Sequence, residues 1–212
     1  LIDREAAMQT NSSRDLGWIH RFVPGPSDQT LLLLHGTGGD ETQLLPLGRR
    51  IAPTANLLSV RGRSLEEGSP RFFRRYTLTR YDQAHLRAEA DALAQFGQEA
   101  AALYEFDPAR LVAVGYSNGA NIALASLVQH PHAFGGAALI RPVMALEQPP
   151  VIDLQALPVL VLNGLHDPFL PFGEAVVPCL QAQGAQVQEY RLAAGHDLTN
   201  EDIERLAAWL AE

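Results

Sequence analysis

The sequence holds a single cysteine, Cys179, in 212 residues, which excludes an internal disulfide and any cysteine-based metal site. Its neighbours Val176, Val177 and Leu180 mark it as a small buried hydrophobe on a helix. Positive charge is also in short supply: 16 basic residues stand against 24 acidic ones, for a net charge of −8. That balance argues against a nucleic-acid surface, and the one arginine-rich stretch, "SPRFFRRYTLTRY", is a weak signal in an acidic chain, so no nucleic-acid partner is expected. No apolar run approaches the roughly 20 residues needed to cross a bilayer. The first residues also lack the basic, apolar and small-residue order of a signal peptide. Stable membrane association is therefore not expected, and a cytoplasmic location fits.

What is present describes a compact globule. Hydrophobic residues make up 47% and charged residues 19%, ordinary values for a soluble domain. A chain of this length can bury about 70% of its unfolded surface in one core. The polar opening "LIDREAAMQTNSSRD" reads as a lead-in over residues 1–16, ahead of one domain over residues 17–212. Within it, short apolar runs alternate with amphipathic stretches, the signature of βαβ units and a largely parallel sheet. "GWIHRFVPG" reads as an early strand, and "TLLLLHG" as a strand buried on both faces. "ANLLSVRG", "RLVAVG", "GGAALIR" and "LPVLVLNG" repeat that pattern, while "AQVQEYRL" alternates like an edge strand. Helices are expected over residues 83–104, 118–129 and 172–183, the last ending at Gly184. A final helix starts from a capping box, Thr199 with Asp202. Residues 61–81, rich in Gly, Pro, Arg and Phe, form a candidate pocket wall or cap.

In an open parallel sheet, ligands bind beyond the carboxyl ends of the strands, so residues just after strands carry the functional signal. In "VAVGYSNGANIAL", Ser117 stands between Gly115 and Gly119, directly after a strand and before a helix. A sharp strand-to-helix turn needs such small flanks and lifts the serine oxygen above the sheet. A serine hydroxyl needs a base to become a nucleophile. Asp167 follows the strand of "PVLVLNGLHDP", and His196 lies in "RLAAGHDLT" before the last helix. This supplies an acid and an imidazole in the order Ser, Asp, His. Asp197 is a weaker alternative to Asp167. His20, His85, His130 and His132 read as surface histidines. The glycine-rich "LLLLHGTGGDE" lacks the lysine of a phosphate-binding loop. It suits an oxyanion hole, with one N–H from Thr37 and one from Asn118. His35 packs under that loop.

Ser117, Asp167, His196 and the loop His35-Gly36-Thr37-Gly38-Gly39 together resemble the α/β-hydrolase superfamily. More narrowly, the chain resembles the small bacterial phospholipase/carboxylesterase family, which includes acyl-protein thioesterase-like enzymes. The likeness runs from about Gly17 through "SPRFFRRY", "GYSNGANIALASL", "LIRPV", "GLHDPFLP" and "GHDLTNEDI". Thioesterase relatives tend to carry Gln where Asn118 stands. The resemblance implies an α/β fold of three layers, with a mostly parallel sheet flanked by helices and no large lid domain. It implies a cofactor-free serine hydrolase that cleaves carboxylic esters of small to medium size, with thioesters within the same chemistry. A small-molecule ester is thus the expected partner, and a homodimer through the pocket rim is compatible with such folds. Dienelactone or carbon–carbon bond hydrolysis is a rival on the same residues. A non-catalytic binding protein is a rival of another class. For the substrate pocket, the phenylalanines of residues 61–81, Phe72 among them, are expected to wall the cleft, with most of the arginines there solvated. Arg141 either attracts a substrate carboxylate or forms a structural ion pair, and Phe169 contacts the acyl group or belongs to the core.

Overall fold

The computed structural model describes residues 16–212; the polar lead-in falls almost wholly outside them. Among the described residues, nine strands are interspersed with helices. They are β1 (His20–Val23), β2 (Thr30–Leu34), β3 (Asn56–Val60), β4 (Ser64–Glu66), β5 (Ser69–Arg71), β6 (Leu111–Tyr116), β7 (Gly136–Ile140), β8 (Pro158–Gly164) and β9 (Gln186–Leu192). The helices are α1 (Leu45–Ile51), α2 (Gln83–Tyr104), α3 (Asn118–Gln129), α4 (Leu170–Gly173), α5 (Val176–Ala182) and α6 (Asn200–Leu210). Seven strands form one sheet in the order β1-β3-β2-β6-β7-β8-β9. All pairings are parallel except that of β1 with β3.

The two-residue period of a strand sorts its side chains onto opposite faces. Leu32 and Leu34 of β2 join a core with residues of α2, α3 and α5. Leu31 and Leu33 join the other core, with Leu47 and Ile51 of α1 and Leu206 and Trp209 of α6. Helices thus cover both faces, which is why "TLLLL" can be apolar throughout: all five of its residues are buried. No large lid stands over the sheet among the described residues, and none of their helices is long and apolar enough to cross a membrane. From β2 the chain runs outward to β3, then crosses back to β6 on the other side of β2. The direction reverses between β2 and β6, and such switch points open a crevice at the carboxyl ends of the strands.

Most expected elements are present. Helix α2 spans residues 83–104, α3 spans 118–129, and α6 starts from the Thr199–Asp202 capping box. The helix expected over residues 172–183 differs: two short helices stand there instead, α4 ending at Gly173 and α5 over Val176–Ala182. In a continuous helix the Pro178 ring would strike the carbonyl of Glu174, whereas in the first turn of α5 it is tolerated. Gly184 does end that segment, at φ +82°. Residues 61–81 contain the hairpin β4–β5, turned by Glu67 and Gly68 at φ +50° and +82°. Positive φ at both turn residues matches the twist of a two-residue hairpin. Helix α1 carries no strong periodic signal; Pro46 in its first turn starts it.

Candidate active site

The turn after β6 is built by exclusion of side chains. A Cβ on Gly115 would run into the Gly119 carbonyl, and one on Gly119 into the Leu34 carbonyl at the end of β2. Ser117 itself sits at φ +53°, ψ −112°, a conformation that costs a non-glycine residue about 1–3 kcal/mol. Its N–H is held by Ile140 O at 2.8 Å, so β7 and the packing of α3 on β2 fix the strained turn.

The strained turn presents the hydroxyl to a histidine. His196 Nε2 lies 3.0 Å from Ser117 Oγ, and His196 Nδ1 lies 2.8 Å from Asp167 Oδ2. Residues 79 positions apart in sequence are thus in hydrogen-bond contact. The Asp167 side chain is only 3% exposed, and its other oxygen accepts the Phe169 N–H at 2.8 Å. With both oxygens engaged, the carboxylate is fixed in place and orients the ring. Tyr116 Oη donates to the His196 carbonyl at 3.2 Å, and the Phe169 ring lies 5.2 Å from the imidazole, edge-on. A carboxylate–imidazole–hydroxyl chain of this kind can draw the proton off the hydroxyl. Asp197 has no carboxylate contact with His196 among the described residues; it offers its backbone carbonyl to Arg141 instead.

The loop after β2 faces the turn. His35 Nδ1 meets Gly36 O at 2.6 Å while Nε2 accepts the Gly62 N–H at 2.9 Å. Burial pushes the His35 pKa down, so the ring is neutral and packs under the loop. Gln43 Oε1 accepts the Gly36 N–H at 3.1 Å, and Pro70 O accepts the Gly38 N–H at 2.9 Å. The Thr37 N–H between them has no hydrogen bond to a described residue. Asn118, as the first residue of α3, has an N–H without an intrahelical acceptor. The side chain of Asn118 has a further task, which the sequence alone did not reveal. Its Oδ1 accepts the Phe72 N–H at 2.8 Å and pins residues 61–81 over the site.

These elements line a small, solvent-open cleft, walled by Thr37, Arg71, Arg75, Leu78, Tyr81, Ser117, Asn118, Asn121, Arg141, Val143, Phe169 and His196. Phe72, expected to wall the cleft, is fully buried in the core instead, its ring 4.7 Å from that of His35. Most of the arginines here were expected in solvent, but Arg71 is buried and faces the cleft. Arg71 ends β5, and directly after it the Phe72 N–H is held by Asn118 Oδ1 while Phe72 and Phe73 both sink into the core. Phe169 does line the cleft. Arg141 borders it, but its guanidinium is closed to solvent and clasps Asp202 through two bonds of 2.8 and 2.9 Å. Its Nε donates to Gly195 O at 2.9 Å, so this structural ion pair also steadies the residue before His196.

Elsewhere, His20, His85, His130 and His132 are at least partly exposed and away from the cleft. Among the described residues, no cluster of three or more His, Cys, Asp or Glu is placed to hold a metal.

No family model matches the chain. Whole-chain similarity is nevertheless extensive. The chain is 40% identical over 195 residues to "Putative hydrolase MhqD" of Bacillus subtilis (strain 168), covering 91% of this chain and 98% of that protein. The crystal structure of a carboxylesterase from Mesorhizobium loti superposes with a TM-score of 0.90 at 39% identity, covering 93% of this chain and 96% of that one. The Bacillus cereus carboxylesterase structure gives 0.88 at 37% identity, over 92% and 93% of the two chains. Fold, coverage and identity agree: the chain belongs to the α/β-hydrolase superfamily, among its small bacterial carboxylesterases, and is an ester-hydrolysing enzyme.

Proposed function

We propose that the chain is a serine carboxylesterase working through an acyl-enzyme, with Ser117 as nucleophile, His196 as general base and acid, and Asp167 as the orienting carboxylate. The observation that carries this reading is the continuous contact Asp167–His196–Ser117, at 2.8 and 3.0 Å, on a strained turn at the switch point of the sheet. Ser117 Oγ attacks the ester carbonyl as its proton passes to His196 Nε2. The Thr37 and Asn118 N–H groups, both lacking a backbone acceptor, take the oxyanion. The alcohol leaves with the proton from His196, and a water activated by the same ring releases the acid.

The small, open cleft favours acyl groups of small to medium size, and thioesters fall within the same chemistry. The mechanism needs no cofactor. Hydrolysis of a panel of p-nitrophenyl esters, thioesters and lactones by the wild type and by Ser117→Ala tests the proposal. Ester turnover that falls by about 10⁴-fold or more in the variant is expected. Turnover retained within about tenfold would move the nucleophile elsewhere.

A further inference from the structure

Over the cleft, the hairpin β4–β5 and the chain after it hold two arginines against one carboxylate. Arg71 Nη1 donates to Thr37 Oγ1 at 2.5 Å and its Nε to Phe73 O at 3.4 Å. Arg75 Nε donates to Glu66 Oε1 at 2.9 Å. The other Glu66 oxygen lies 3.4 Å from Arg71 Nε, yet it makes no hydrogen bond. Two guanidiniums and one carboxylate leave one positive charge unmatched. The Arg71 side chain is only 3% exposed, and buried charge is costly unless paired. Burial first, and the charge of Arg75 second, lower the Arg71 pKa to about 10. The guanidinium remains charged at neutral pH but lacks a full counter-charge.

The rest of this wall is equally one-sided. Asn118 Oδ1 is taken by the Phe72 N–H, and Asn121 Oδ1 by the Val143 N–H at 2.8 Å. Both bonds fix which way the amides face and turn their nitrogens into the remaining polar groups. Asn118 Nδ2 is buried and has no hydrogen-bond partner, and Asn121 Nδ2 meets no acceptor among the described residues. Arg71 Nη2 and both terminal nitrogens of Arg75 likewise make no hydrogen bond to a described residue. Asp167, the acid nearest the site, is spent on His196 and Phe169. One side of the cleft therefore offers donors and positive charge with almost no acceptors.

We infer that Arg71 and Arg75 form a carboxylate subsite, so that the preferred substrates are esters bearing a second, ionised carboxyl group. This rests on the reading of Ser117 as the nucleophile. A single carboxylate matches the one unmatched charge, and paired guanidiniums offer it bidentate hydrogen bonds. Thr37 sets the distance: its N–H is proposed to take the oxyanion while its hydroxyl holds Arg71. The carboxylate and the scissile carbonyl are thereby held on opposite sides of one residue, which selects a short spacer such as that of a succinate half-ester. Hydrolysis of such a half-ester consumes one water and releases the dicarboxylic acid and the alcohol.

The test compares methyl hydrogen succinate with dimethyl succinate. For the wild type, kcat/KM is expected to favour the charged half-ester by about ten- to a hundredfold, the range of charge-assisted hydrogen bonds, chiefly through KM. Arg75→Gln should lower that ratio at least about tenfold, and Arg75→Lys should restore part of it. Thermal unfolding confirms that each variant is folded. Calorimetry on Ser117→Ala reads the subsite without turnover: tighter binding of the half-ester than of the diester, lost on adding Arg75→Gln, is the expected result. A ratio near one in the wild type, or one that Arg75→Gln leaves unmoved, overturns the subsite, as does equal affinity for the two esters. Fluorophosphonate labelling of the wild type separates the two claims. Labelled Ser117 without charge discrimination overturns the subsite alone. Absence of labelling overturns the nucleophile while calorimetry still decides the subsite.

Discussion

Arg141→Met should destabilise the protein by about 3 kcal/mol. The side chains of Arg141 and Asp202 have no solvent exposure and meet through two bonds of 2.8 and 2.9 Å. Breaking such a pair by removing one partner costs about 3–5 kcal/mol, because the other charge stays buried. Asp202 keeps the Thr199 N–H and hydroxyl, both at 2.8 Å, which places the loss at the lower end. At about 2–4 °C per kcal/mol for a chain of this size, the melting midpoint should fall by about 6–12 °C. Urea unfolding followed by the fluorescence of the buried Trp18 and Trp209 measures the loss directly. The double variant Arg141→Met/Asp202→Asn should recover at least about 1 kcal/mol, because Asn still accepts from Thr199 but needs no counter-charge. Arg141 also holds Gly195 O, so acylation should slow in the single variant as His196 loses its anchor. A loss below about 1 kcal/mol, the worth of an exposed ion pair, would refute the reasoning.

Three other outcomes follow from the same structure. Asp167→Asn should keep the fold and substrate affinity but lower kcat by about 10⁴-fold, through the wrong histidine tautomer; steady-state kinetics checks this. His35 is held neutral by burial, with its pKa below the ordinary 6.5. The unfolded chain therefore binds the extra proton between the lowered folded value and 6.5, and stability falls as pH drops through that window. Denaturation between pH 5 and 7 should show a slope of up to about 1.4 kcal/mol per pH unit from this group, which His35→Gln removes. Gly119→Ala should cost about 3 kcal/mol or more in urea unfolding, because its Cβ meets the Leu34 carbonyl, backbone against backbone.

Much of this was legible in sequence, because the signals that carry it are local. Buried strands reveal themselves as apolar runs, α6 through its capping box, and the Ser117 turn through its two glycines. The order Ser, Asp, His then named the residues that long-range folding brings into contact. Residues 61–81 were not legible in detail. Their side-chain directions depend on the register of the β4–β5 hairpin and on the Asn118 bond to Phe72 N–H, neither of which has a periodic signature. Hence the packing puts Phe72, expected in the cleft, in the core, and turns Arg71 toward the cleft from a segment whose arginines were mostly expected in water. The two helices of residues 170–182 were read as one because the apolar pattern runs through both; Pro178 was the cue to the break. Arg141 has no local signature for its role, because its partner Asp202 lies 61 positions away in the chain.

The central claim is that Ser117 is an activated nucleophile. Incubating the native protein with a fluorophosphonate and mapping the adduct by peptide mass spectrometry tests it most directly. The account predicts one adduct per chain, on Ser117, with ester hydrolysis lost in step and labelling abolished in His196→Ala. Ester hydrolysis that persists with Ser117 unmodified, or an adduct on a different serine, would contradict it.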